Sequence, residues 1–173
     1  MLFNLSEDKN ILLIRRVIDA LNTGDLSNVS EFISPNYFNH ESQMDPVRSK
    51  MRGPEEFTDT VKNIRSAISD LHYEVEETLA SNNKVVSIVT VTGKHTGSFF
   101  NFIPPTGKPL FYQAVHIHTI DEDGKIVEHK AIRDDLALMY QLGVVKASSI
   151  PFGNFLEGWK GGDQKKKRQN HNC

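Results

Sequence analysis

A chain of 173 residues with 38% hydrophobic and 24% charged residues has the make-up of one globular domain with a single core. A net charge of -2 gives no bulk electrostatic case for binding nucleic acid, and no apolar run reaches the length that a membrane-spanning helix needs. The one cysteine is the last residue, Cys173, which excludes an internal disulfide and any cysteine-rich metal site and fits a reducing compartment.

The N-terminus places Glu7 and Asp8 before its apolar residues and lacks a signal-peptide pattern, so a cytoplasmic protein is expected. The first helix is predicted from about Ser6 to Asn22, with Ser6 as its cap. Ile11, Ile14, Val17, Ile18 and Leu21 form an apolar stripe at helical spacing. Asn22-Thr23-Gly24-Asp25 stops it. A short second helix starts at Asp25 or Ser27, runs through Val29, Phe32 and Ile33, and ends at Pro35. Asn36 to His40 reads as a brief extended segment. The polar stretch from Glu41 to Arg52 is long for a compact domain and suggests a lid or a mobile edge. Gly53-Pro54 opens a third helix, with proline where a missing N–H costs nothing, and Phe57, Val61, Ile64 and Ile68 as its stripe.

Strands follow. Leu71 to Leu79 alternates in part, Ser81 to Lys84 is a turn, and Val85 to Thr92 is a β-branched run that commits the segment to a strand. A loop holding Pro104-Pro105-Thr106-Gly107-Lys108 leads into a strand from Leu110 to Ile120. Asp121-Glu122-Asp123-Gly124 then signals a hairpin, because glycine accepts the positive φ of a tight turn. Four strands joined in sequence make an antiparallel meander, and with helices ahead of them the class is α+β. The domain is expected to span residues 1–145. Residues 146–173 form an extension whose Lys165-Lys166-Lys167-Arg168 end reads as a disordered tail.

The chemistry centres on the stretch after the hairpin. A strand from about Lys125 to Arg133 meets a short helix that ends at Gly143, and Asp134 and Asp135 stand at the junction. Asp135 reads as the helix N-cap. Asp134 then shares the strand face of Ile132 and Lys130 by the two-residue period, and Ile132 points that face inward. An inward carboxylate is either hydrogen-bonded structure or a working acid. His116 and His118 are two apart and share one face of their strand. They could give two metal ligands, but no nearby His-x-Glu or acidic triad completes a pattern, so no metal is expected. His95 and His129 read as structural.

Several motifs resemble, in order, those of the SnoaL-like polyketide cyclases, also called ester cyclases. They are Asn22-Thr23-Gly24-Asp25, Phe38-Asn39-His40, Gly53-Pro54-Glu55-Glu56-Phe57, His95-Thr96-Gly97, Ile103 to Lys108, Gly124 to His129, and Asp134 with Gln141-Leu142-Gly143. The resemblance implies a cone: a strongly curved antiparallel sheet closed on one side by three helices, with a cavity between them. It also implies ring closure by intramolecular aldol condensation with neither metal nor cofactor. The family's acid lies five residues after the histidine of the Glu-His pair, which is Asp134 here. His40 matches a cavity histidine, and His118 and His116 are candidates for a further polar pair. The resemblance thus gives Asp134, His118 and His40 as catalytic residues, and His116, Lys130, Ile132 and Phe38 as substrate-binding ones. Lys130 departs from the tryptophan usual after the Glu-His pair, and Ala137 from the usual glycine.

One carboxyl group can take the proton next to a carbonyl and return it to the new alkoxide. Burial in an apolar cavity would tune such a group toward neutral pH. The expected function is therefore a cofactor-free cyclase of a small β-keto ester or polyketide-like substrate. The alternative is a binding module or dimer scaffold on the same fold. Apolar Val86, Ile88 and Phe111 on the face away from the helices point to a homodimer.

Overall fold

The computed structural model describes residues 5–99 and 103–146. The extension beyond residue 146, including the basic run and Cys173, lies outside the described residues. Helix α1 covers Leu5–Thr23, and its stripe buries Ile14, Val17, Ile18 and Leu21. Helix α2 is one turn, Val29–Phe32. Strand β1, Ile33–Asn39, begins there, two residues before the proline expected to end the helix. Helix α3 runs Gly53–Ala67 with its proline in the first turn and buries Phe57 and Val61. Ile68, expected on that helix, instead opens the long strand β2, Ile68–Ser81.

Strands β3 (Lys84–His95), β4 (Pro109–Ile120) and β5 (Ile126–Arg133) complete one sheet in the order β1-β5-β4-β3-β2. Helix α4, Asp135–Leu142, ends at Gly143, whose φ of 77° is the left-handed cap that glycine supplies. The hairpin between β4 and β5 turns where expected, with Gly124 at φ 74°. The α+β cone is thus as read from the sequence, with one addition. The brief extended segment joins the sheet as β1, parallel to β5, while β2 to β5 form the antiparallel meander.

One sheet face looks toward α1 and α3, which pack on β2, β3 and β1. It carries Val85, Val89 and Val91 of β3, each fully buried. Cross-strand register places His118, Ala114 and Tyr112 of β4 beside them, on the same inward face. The stretch expected to be a lid is fastened. It forms two 3-10 turns, His40–Met44 and Arg48–Lys50, and Arg48 bonds to Asp59 (2.7 Å) and Thr60 (2.5 Å) of α3. No helix among the described residues is long and apolar enough to cross a membrane.

Candidate active site on the inward sheet face

The imidazoles and the amide at the centre of the inward face come from three strands. His116 and His118 point the same way from β4, as the two-residue period demands. His129 sits directly opposite His118 on β5, and Asn39 lies opposite His129 on β1. Each neighbouring strand therefore adds one polar side chain to the same patch. His118 is buried, whereas His116 and His129 are half-buried and keep accessible surface. The rings of His116 and His118 stack at 6.2 Å, and that of His129 lies 5.0 and 4.9 Å from them.

A hydrogen-bond chain fixes the tautomers. Glu56 of α3 is 1% exposed, and its Oε1 accepts from Asn39 Nδ2 (3.0 Å), Thr60 Oγ1 (3.0 Å) and Ser42 Oγ. With its amide nitrogen committed to that carboxylate, Asn39 presents Oδ1 to the Glu41 N–H and to His129 Nδ1, each at 3.0 Å. His129 must then donate from Nδ1, so its Nε2 accepts from His116 Nδ1 at 2.9 Å. The far nitrogen of His116 is left with a lone pair. His118 Nδ1 is buried and has no hydrogen-bond partner among the described residues.

Burial keeps all three rings neutral. It pushes His116 down to about 4, helped by the Arg133 guanidinium, and His118 to about 3, helped by His116. His129 is lowered well below the usual imidazole value by burial, then by His118, His116 and Arg133. Tyr73 and Tyr112 lie on the same face, flanking Val91 across the sheet, and each influences the other's phenol. The Tyr73 ring meets His116 edge-on at 6.2 Å. Arg133 closes the row at the end of β5, bound to Asp135 (2.5 Å) and Glu41 (3.2 Å).

The remaining expected site residues lie elsewhere. Asp134 is exposed; it is the N-cap of α4, its Oδ1 accepting the Ala137 N–H at 2.9 Å. The cap expected at Asp135 therefore belongs to Asp134, which among the described residues stands exposed rather than in the apolar cavity expected for it. Ile132 is 67% exposed and Lys130 is also exposed, both on the face away from the helices, where Lys130 lies 3.8 Å from Glu128. They do not line the inward face.

The physical reason is a bulge. Ile120 pairs with Ile126, but Thr119 pairs with Glu128, so Val127 is an extra residue. Ile126 is fully buried, and one residue later the phase inverts. Lys130 and Ile132 thereby turn outward, and His129 and Arg133 turn inward.

His40 is also outside the histidine cluster. Its Nε2 bonds to Glu128 Oε1 at 2.7 Å, and its ring packs edge-on against Phe38 at 4.6 Å. Arg52 covers the Phe38 ring at 4.5 Å. The bonds from His40 and from Thr119 hold the Glu128 carboxyl below its ordinary value. His95 is structural, as expected: fully buried, its Nδ1 accepts the Thr106 N–H at 3.2 Å and ties the loop before β4 to the end of β3. His129, expected to be structural, stands in the cluster, and Asn39, Glu56 and Arg133 carry no role in the sequence reading. His129, Asn39 and Glu56 stand inside the motifs that carry the family resemblance, which is the available signal.

A family model described as SnoaL-like polyketide cyclase matches residues 11–142. Aklanonic acid methyl ester cyclase DnrD of Streptomyces peucetius is 33% identical over 133 residues, covering 76% of this chain and 88% of that protein. Nogalonic acid methyl ester cyclase of Streptomyces nogalater is 29% identical over 129 residues, 73% of this chain and 92% of that one. Among solved structures, TsrD from Streptomyces laurentii superposes with a TM-score of 0.70 at 23% identity, covering 84% of this chain and 100% of that one, a likeness of fold.

Proposed function

The chain belongs to the SnoaL-like polyketide cyclase family, and from that premise we propose that it closes a ring in a small β-keto ester or polyketide-like substrate. The observation that carries this reading is the match over residues 11–142, which takes in the whole sheet, its polar inward face and Asp134. The reaction is an intramolecular aldol step. A base takes the proton from the carbon between two carbonyls, that carbon attacks a ketone carbonyl, and the new alkoxide recovers the proton. Nothing is oxidised or reduced, so the chemistry asks for no redox cofactor.

Asp134 is assigned the proton transfers. It follows Arg133 directly at the end of β5, and the bond from Ala137 fixes the direction of its carboxylate. Arg133 and the hydroxyl pair of Tyr73 and Tyr112 supply positive charge and hydrogen bonding for the enolate and alkoxide oxygens, where such groups do most for a reaction that develops negative charge. His116 offers its outer ring nitrogen to a substrate hydroxyl. His40, committed to Glu128, is given no proton step.

Asp134→Asn tests the assignment cleanly, because asparagine caps a helix as well as aspartate does and only the acid is lost. With aklanonic acid methyl ester as the first substrate tried, wild-type protein is expected to turn over and Asp134→Asn to lose at least about 10²-fold in rate. Equal rates would remove Asp134 from the mechanism. The exposed, cap-forming position of Asp134 favours a second reading, a small-molecule-binding domain without catalysis. Ligand binding with no product formed by the wild type would support it.

A further inference from the structure

We propose that His116, His118 and His129 form a binding site for a late first-row divalent cation, Zn²⁺ in the first place. The inference goes beyond the cyclase reading and holds whether or not Asp134 is catalytic. One ring nitrogen from each histidine lies within 4.8 Å of the other two. The sheet dictates this. His116 and His118 are two apart on β4, and His129 is the cross-strand partner of His118 on β5. Sequence spacing gave two ligands on one strand, and the register supplies the third.

The distances suit the ion. Zinc binds imidazole nitrogen at 2.0–2.1 Å in tetrahedral geometry, so ligand nitrogens stand roughly 3.4 Å apart. The His116 Nδ1 to His129 Nε2 separation is 2.9 Å, and no pair exceeds 4.8 Å. Small ring rotations meet the requirement. Without the ion, the His116 N–H closes the gap by donating to His129. On binding, that proton moves to the other nitrogen of His116, and none is lost.

Two further observations point to a ligand. The first is the support behind His129. Its Nδ1 donates to Asn39 Oδ1, which is oriented by the bond from Asn39 Nδ2 to the buried Glu56. Metal-binding histidines are held by an outer carbonyl or carboxylate in this way, which fixes the tautomer that aims the lone pair at the ion. The second is His118, 3% exposed, whose Nδ1 is buried and unpartnered among the described residues. Buried polar atoms are nearly always satisfied, and a cation shared with the two other imidazoles would satisfy this one.

The donor set is also selective. Three neutral imidazoles suit zinc, copper or nickel better than magnesium or calcium, which prefer oxygen. Arg133 is the nearby cation that opposes binding, and its charge is offset by Glu41 and Asp135. His116 and His129 keep accessible surface, so a fourth position stays open to water or to a carbonyl oxygen.

The experiment uses the full chain with Cys173→Ser, stripped with chelator, titrated with Co²⁺ and then displaced with Zn²⁺. One equivalent of cobalt is expected, with the visible bands of a tetrahedral nitrogen-ligated ion and no sulfur charge-transfer band. His118→Ala or His129→Ala should abolish the bands, and Asn39→Ala should weaken affinity by about 10–100-fold. X-ray absorption on the zinc-loaded wild type should count three imidazoles, which decides the matter should a variant fail to fold. The proposal is overturned by no stoichiometric uptake, by fewer than three imidazoles, or by uptake that survives both alanine changes, an adventitious ion only. Because each readout is binding, its failure is distinct from a failure of the cyclase reading.

Discussion

Asn39 holds two ends of one polar chain. It donates to Glu56 and accepts from His129 and from the Glu41 backbone, and it is itself buried. Asn39→Ala removes the acceptor from two donors and one donor from a buried carboxylate. A loss of about 1–3 kcal/mol is expected for groups so stranded, read by urea unfolding of wild type and variant. A change within about 0.5 kcal/mol, the range of ordinary surface substitutions, would show that the chain stabilises nothing. A second residue-scale effect concerns Tyr37, Tyr73 and Tyr112, all buried. Burial raises each phenol above its ordinary value, reinforced by Glu56 at Tyr37 and by Tyr112 at Tyr73. A group with a raised folded value contributes stability that is fully present below the unfolded value near ~10 and is lost as pH rises toward the folded one. Stability should thus fall above about pH 10, and ultraviolet titration should show these three phenols ionising only as the chain unfolds. Reversible titration of all the tyrosines in the folded state would contradict the burial.

At the scale of elements, α1, α3, β3 and the end of α4 were legible, because each carries its own period or cap. Ile14, Val17, Ile18 and Leu21 are buried at helical spacing, and Val85, Val89 and Val91 at odd positions of one strand. Strand β1 was not read as part of the sheet. It holds Pro35 and Asn36, both exposed, and its only sheet neighbour is β5, so it sits at an edge where proline is tolerated. The face of β5 is inverted relative to the sequence reading, because apolar Ile132 sets the inward side there, whereas in the sheet Ile132 is 67% exposed, and the bulge at Val127 leaves no mark in composition. The pairing of His129 with His118 was illegible for a related reason, since register between strands is set by the whole sheet. The join between α3 and β3 gives an element-scale prediction. Thr96 and Gly97 both donate to the Ala67 carbonyl at the end of α3, at 3.0 and 2.9 Å, and a Cβ on Gly97 would strike the Ser66 carbonyl. Gly97→Ala should therefore cost about 1–3 kcal/mol, the range for forcing atoms into packed space. A thermal midpoint equal to that of the wild type would show that the join has slack.

At the scale of the whole molecule, one sheet face is left uncovered by helices among the described residues. Register lays out what that face presents. Leu79, Val86 and Ile117 form one row across β2, β3 and β4, and Ile88, Val115 and Ile132 form the next across β3, β4 and β5. Phe111 continues the face toward the start of β4. Leu79, Phe111 and Ile132 are 61%, 58% and 67% exposed, too much apolar surface for a strand face simply meant for water. Exposed apolar area of this extent on a sheet marks association, and a two-fold pairing of the same face is the economical way to cover it. Its border is polar, with Glu76 accepting from Gln113 at 3.1 Å and Lys130 lying near Glu128, as the rim of such a contact would be. The expectation is a homodimer in which the two sheets meet and the inward faces point away from one another. Ile132→Glu would place a charge at the middle strand pair and should shift the species to monomer, with unchanged far-UV circular dichroism. Light scattering at micromolar concentration gives the mass of wild type and variant. A wild-type monomer would sink the idea, as would a dimer untouched by Ile132→Glu.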